Sequence, residues 1–382
     1  MTTTHGAADT RDSSLGQGSL QDGSDVDLRW GVAGLAVVVA GGALTRFLTE
    51  SVPVWSRGTP LEKLGGAVEF PVYAIVIGLV LNAVLSALRI RGRLAAGFRT
   101  EFFIKTGLVL LGGTVVLSVI VRAAGPAIVQ AALLITGVFF FTWWVAGKLG
   151  VDDHPRALLS SAVSICGVSA AIAAAGAVKA KKEHLAYTAT LVIVFALPSI
   201  FLLPWLANLL GLSDAVAGAW IGGNIDTTAA VSAAGALAGE DALQIASIVK
   251  LTQNALIGFV AVALTAWFAV KVERDADAPR LRAVDFWRRF PKFVLGFIAA
   301  SVTVTVAAEF LGADALDSLD TTVKGFRDYF LILAFVSIGL EFEARSLREA
   351  GGRPVAVFGL ATVFNLVLGL VLASVLFGSF EV

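Results

Sequence analysis

Cysteine is almost missing from this chain: 382 residues contain one, Cys166. A single thiol cannot build an internal disulfide framework or a Cys-rich metal site. Histidine is scarce too. His5, His154 and His184 are scattered, so neither an HExxH metal motif nor any other ligand spacing exists. Charge is thin, with 15% charged residues against about 25% in soluble domains. The two signs cancel to a formal net charge of zero, which offers nucleic acid no basic footprint. The phosphate-binding pattern GxxxxGK[ST] is missing, which argues against ATP-driven work by this chain. No His lies deep in an apolar segment, so a Ser–His hydrolase is not expected, and the chain reads as a non-enzyme. Residues 1–29 hold five Asp and two Arg and lack the basic and apolar regions of a signal peptide. They read as a disordered cytoplasmic tail.

What remains is apolar. Hydrophobic residues make up 57% of the chain, and its mean hydropathy is +0.83. Apolar segments fall at about 30–49, 68–88, 100–121, 126–147, 157–178, 185–207, 214–238, 243–270, 292–311, 326–341 and 355–377. Most can cross a hydrocarbon core of about 30 Å. The expected fold is an all-α polytopic membrane protein of about eleven segments occupying 30–378. The expected place is the cytoplasmic (inner) membrane of a bacterium. Abundant Ala, Gly and Val suit close helix packing through small residues.

Loop charge orients the segments. Loop 89–99 has four Arg and no acid, and the linker counted over 271–292 holds seven Lys or Arg against four acids. Both are expected inside, with the amino terminus. Segment 312–323 has three Asp and no base, so it is expected outside. Eleven full spans would put the basic "KAKKEH" (179–184) outside. Re-entrant hairpins at 157–178 and 214–238 would return it inside and leave "GED" (239–241) outside. The sequence leaves hairpins and broken full spans both open.

Those two segments are related. "SAAIAAAGAV" (169–178) and "TAAVSAAGAL" (228–237) match in register, and each follows a polar, Gly-containing stretch. A weaker pair, 105–128 and 335–357, shares a Gly-Leu and then an Ala-Gly…Pro element. Paired, Gly-interrupted apolar segments point to inverted repeats whose discontinuous helices meet at a central transport site. Bare peptide groups are tolerated at membrane depth only where they line a cavity. There, half-helix N-termini attract anions.

Candidate residues follow from this. Asp226 is a carboxylate at predicted membrane depth, where insertion costs about 2.5–3.5 kcal/mol. It is read either as a coupling group or as the cap of the second half-helix, and Asn224, Thr227 and Thr228 flank it. Lys250 shares a helix face with Gln253 and Asn254, and Asp226 is its nearest acidic partner in sequence. Alternatively it snorkels to the interface. Ser164, Cys166, Gly167 and Ser169 form the other break, where the hydroxyls and backbone could face an oxyanion or simply pack. Glu101 and Lys105 are spaced for an i, i+4 salt bridge. Asn82 and Asn365 are mid-span polar residues suited to joining helices.

"SAVSICGVSAAIAAAGAVKAKKE", "GGNIDTTAAVSAAGAL", "IVKLTQNALI", "FPKFVLGFIAAS" and "LAFVSIGLEFEARSLREAGGRPV" together resemble the YeiH-like family, whose members carry a sulfate-exporter label. The resemblance covers about residues 65–378. It implies similarity to the cation/proton antiporter and anion transporter superfamily, with a site at Ser164, Cys166, Gly167, Ser169, Asn224, Asp226 and Lys250. Typical members look like Ile-His-Glu where this chain has Ile225-Asp226-Thr227. They carry Lys-Leu-x-Arg where it has Lys250-Leu251-Thr252-Gln253. These departures make the expected site less positive. The expectation is a secondary transporter of a small sulfate-, sulfonate- or carboxylate-type anion, coupled to H⁺ or to Na⁺ held near Asp226. A cation/proton antiporter using Asp226, or an anion channel, is the alternative. No cofactor is expected, and the sequence leaves a homodimer open.

Overall fold

The computed structural model describes residues 28–57, 70–271, 291–342 and 351–381. The amino-terminal tail and most of linker 271–291 lie outside the described residues. Every regular element among the described residues is helical. Fourteen helices of ten residues or more organise the described residues: α1 (Leu28–Trp55), α2 (Phe70–Ala87), α3 (Thr100–Gly112), α4 (Leu117–Lys148), α5 (Asp153–Ser164), α6 (Val168–Ala177), α7 (Lys182–Leu209), α8 (Asp214–Asn224), α9 (Thr228–Ala238), α10 (Glu240–Ala255), α11 (Ile257–Lys271), α12 (Phe293–Phe310), α13 (Ala313–Glu341) and α14 (Gly352–Phe377). Among the described residues, seven stretches are long and apolar enough to cross a bilayer, with α10 and the start of α11 counting as one.

The helices form two bundles. In the first, α13 packs against α2 and α3, and α1 and α12 flank them. In the second, α4, α7, α10, α11 and α14 surround the four short helices α5, α6, α8 and α9. Small residues allow the close approaches: a side chain at Gly78 would strike the backbone of Val336 and Gly339. Lipid offers no hydrophobic drive between helices, so this intimate packing and interhelical hydrogen bonds must hold them. Asn82 donates to the carbonyls of Gly339 and Phe342, joining α2 to the end of α13 as a mid-span amide should. The weaker sequence pair also meets in space, since α3 packs on α13 and α4 on α14.

The four short helices form two hairpins. Gly218 and Gly222 of α8 lie on Ala242 and Ala246 of α10, so α8 runs parallel to α10. Along α9 the order reverses: Thr228 meets Asn254, and Gly235 meets Leu243. Helices α8 and α9 therefore descend and return. In the other pair, Ile165 and Ala170 share one apolar cluster, whereas Ala157 and Leu158 share another with Ala174 and Val178. That ordering also makes a hairpin. The base of the first packs with Leu264 and Phe268 of α11, and the base of the second lies beside the start of α10. The hairpins thus enter from opposite ends of the molecule and meet tip to tip. Arms of 10 to 12 residues span about 15–18 Å, roughly half a hydrocarbon core. "KAKKEH" consequently lies at the α11 end, where the charge pattern asked for it.

One described ion pair joins the bundles. Arg327 of α13, 5% exposed, donates to Glu240 at the start of α10 and to its neighbour Asp328. It sits at the base of the second hairpin.

Candidate functional site

Each tip needs a residue that can reverse the chain. At the first, Gly167 adopts φ 63°, ψ −115°, a conformation that side chains resist. At the second, Ile225 and Thr227 are extended, and the Thr227 hydroxyl accepts the Ala230 N–H at 3.1 Å to start α9. Thr227 is the cap, so the capping role considered for Asp226 belongs to its neighbour. The tips touch: a side chain at Gly167 would meet Asp226.

Breaking a helix at membrane depth exposes carbonyls at one end and N–H groups at the other. The protein treats the two ends differently. Lys250 Nζ donates to the Ile165 carbonyl at 2.6 Å and to Gln253 Oε1 at 2.8 Å. Gln253 Nε2 in turn donates to the carbonyls of Ser164 (3.1 Å) and Gly223 (3.2 Å). Asn365 Nδ2 of α14 lies 3.4 Å from the carbonyls of both Val163 and Asn224. The negative ends of α5 and α8 are therefore sealed by one ammonium and two amides. Lys250 is 1% exposed, which rules out snorkelling. It forms no ion pair with Asp226, although each feels the other's charge. The expected pairing gives way because the stranded carbonyls are closer partners.

The positive ends face open space. Two cavities of about 350 and 280 Å³ share Glu101, Cys166, Ser169 and Thr228 on their walls. Asn254 lines the first and donates to Thr228 Oγ1 at 3.1 Å, leaving its own oxygen without a partner. Thr227 and the α9 amino-terminal turn line the second, with Thr100 and Glu341 opposite. The larger groove of about 450 Å³ between α4 and α11 is apolar and touches none of these residues.

The ten sequence candidates divide accordingly. Cys166, Ser169, Thr227, Thr228 and Asn254 line the cavities, and Gly167 makes the turn between them. Ser164, Asn224, Asp226 and Lys250 lie behind the tips. The Ser164 hydroxyl turns back to the Ser161 carbonyl, so it is not aimed at an oxyanion. The Asn224 amide caps Trp220 of its own helix. Asp226 is 6% exposed and takes no hydrogen bond or ion pair from any described residue. Sequence reasoning had not put Gln253, Asn365, Thr100 or Glu341 in the site. Gln253 carried a signal, because it stands where the YeiH-like pattern has Arg. The Glu101–Lys105 bridge forms as spaced, at 2.8 Å, but on the cavity wall.

Residues 48–358 match the family described as "Conserved hypothetical protein 698". The chain belongs to that family. It is 37% identical to a UPF0324 membrane protein of Rhodopirellula baltica over 87% of this chain and 62% of that one. It is 38% identical to a UPF0324 membrane protein of Nitratidesulfovibrio vulgaris over 80% of this chain and 54% of the relative. A second protein of that name and organism, at 29% identity, is matched over 88% of its length. The chain thus spans less than two thirds of the first two relatives. These names support the YeiH-like resemblance and a membrane protein, and they carry no sulfate label. No solved structure matches the chain.

Proposed function

We propose that this chain is a secondary transporter of a small anion, working by alternating access. One observation carries the reading: the N-terminal ends of α6 and α9 face the same cavities while the C-terminal ends of α5 and α8 are sealed within the protein. Each helix N-terminus is equivalent to about half a positive charge. Two such ends, with Ser169, Thr228 and their free N–H groups, form an anion site without a buried cation facing the ligand. The cavities are large enough for a sulfate-, sulfonate- or carboxylate-type anion. Two bundles meeting at this site supply the parts for rocking one against the other. Pro291 and Lys292 line the first cavity, so on the charge-based orientation it opens to the cytoplasm. The Arg327–Glu240 pair then closes the outside.

Asp226 favours a second reading. An unpartnered buried carboxylate at the tips suits a cation/proton antiporter, or a Na⁺ that accompanies the anion. Uptake into liposomes holding the purified protein separates the readings. Anion uptake driven by a Na⁺ or proton gradient supports the first. Cation exchange with no anion requirement replaces it with the second, and conduction far faster than a transport cycle indicates a channel.

A further inference from the structure

The wall opposite the hairpin tips is charged. Glu101 and Lys105 stand one turn apart on α3, bridged at 2.8 Å, with side chains 76% and 46% exposed. Both line the first cavity, and Glu101 also lines the second beside Glu341 of α13. The two deeply buried cations are committed elsewhere. Lys250 is spent on the Ile165 carbonyl, and Arg327 on Glu240 and Asp328. An exposed i, i+4 pair is weakly held and readily exchanged.

We propose that the Glu101–Lys105 pair couples anion binding to proton uptake in this site. The assignment rests on the transporter reading and names its coupling ion. The arriving anion takes the Lys105 ammonium. Glu101 is left facing the like charge of Glu341 and takes one proton from the cavity water. The paired site begins with no net charge. It ends with a neutral acid and an ammonium–anion pair, so a monovalent anion enters with one proton without moving net charge. The other charged or titratable groups on these walls are Cys166 at the first hairpin tip and Lys292 beside α12. Arg91 stands behind Glu341, donating to the Leu340 carbonyl at 2.9 Å.

The test uses the full chain in liposomes containing a pH dye, with sulfate and methanesulfonate as probe anions. Wild-type uptake of either anion should acidify the lumen. In Glu101→Gln the number of protons moved per anion should collapse, and Glu101→Asp should recover it. Lys105→Gln should raise the half-saturating anion concentration about tenfold, with Lys105→Arg restoring it. An unchanged proton-to-anion ratio in Glu101→Gln, or unchanged half-saturation in Lys105→Gln, overturns the coupling assignment and leaves the transporter reading standing. Wild-type vesicles that take up neither anion overturn the transporter reading and this one together.

Discussion

Lys250 holds the Ile165 carbonyl at 2.6 Å, so the ammonium seals the first hairpin from behind instead of facing the cavity. Lys250→Ala should strand that carbonyl and Gln253 Oε1 in a buried space. The loss expected is about 2–5 kcal/mol. Thermal unfolding in detergent should show it equally with and without a saturating anion. A deficit seen only with the anion present would make Lys250 a binding residue.

Gly167 should tolerate no side chain. Its positive φ is strained for any L-residue, and a Cβ would also strike Val192 and approach Asp226. Gly167→Ala should destabilise the protein by about 1–3 kcal/mol and weaken anion binding as the tips separate. A variant as stable as wild type would show that the tip is not built as described.

Asp226 sets a buried carboxyl with no described hydrogen-bond partner beside two positive helix ends. On the anion reading, Asp226→Asn keeps uptake, and at alkaline pH, where the carboxyl carries charge, it lowers the half-saturating anion concentration by removing one nearby like charge. Initial uptake rates across anion concentrations provide the measurement. Complete loss of ion-linked transport would favour the antiporter reading.

The Arg327–Glu240 pair joins the bundles about 21 Å along α13 from Glu341, at 1.5 Å per residue. Glu240→Gln should loosen that end and let an impermeant thiol reagent reach Cys166 from outside whole cells. Wild-type Cys166 should react only in inside-out vesicles. Equal outside labelling in both proteins would remove the latch.

Much of the architecture was legible in the sequence. The apolar segments, the break at Gly167 and the matched "SAAIAAAGAV" and "TAAVSAAGAL" marked both hairpins and their kinship. Periodicity could not say whether a broken segment returns or continues, because both use the same half-length arms. The "KAKKEH" charge pointed to return, and the antiparallel contacts of α9 on α10 show it. The cavity wall was hidden for another reason. Glu101 and Lys105 have the spacing of any surface ion pair, and only the approach of α3 to the hairpin tips distinguishes them. Gln253 and Asn365 act on backbone carbonyls, which carry no sequence mark. Asp226 seemed the natural partner of Lys250 because carbonyls cannot be counted before a break is located.

The central claim, that an anion sits at the two half-helix N-termini, is tested most directly through the single native thiol. Cys166 lines both cavities, so its alkylation rate in the purified protein reads occupancy at the tips. An anion that raises the protein's thermal stability should slow alkylation with the same concentration dependence. An anion that stabilises the protein yet leaves the Cys166 rate unchanged would place the binding site elsewhere and contradict the account.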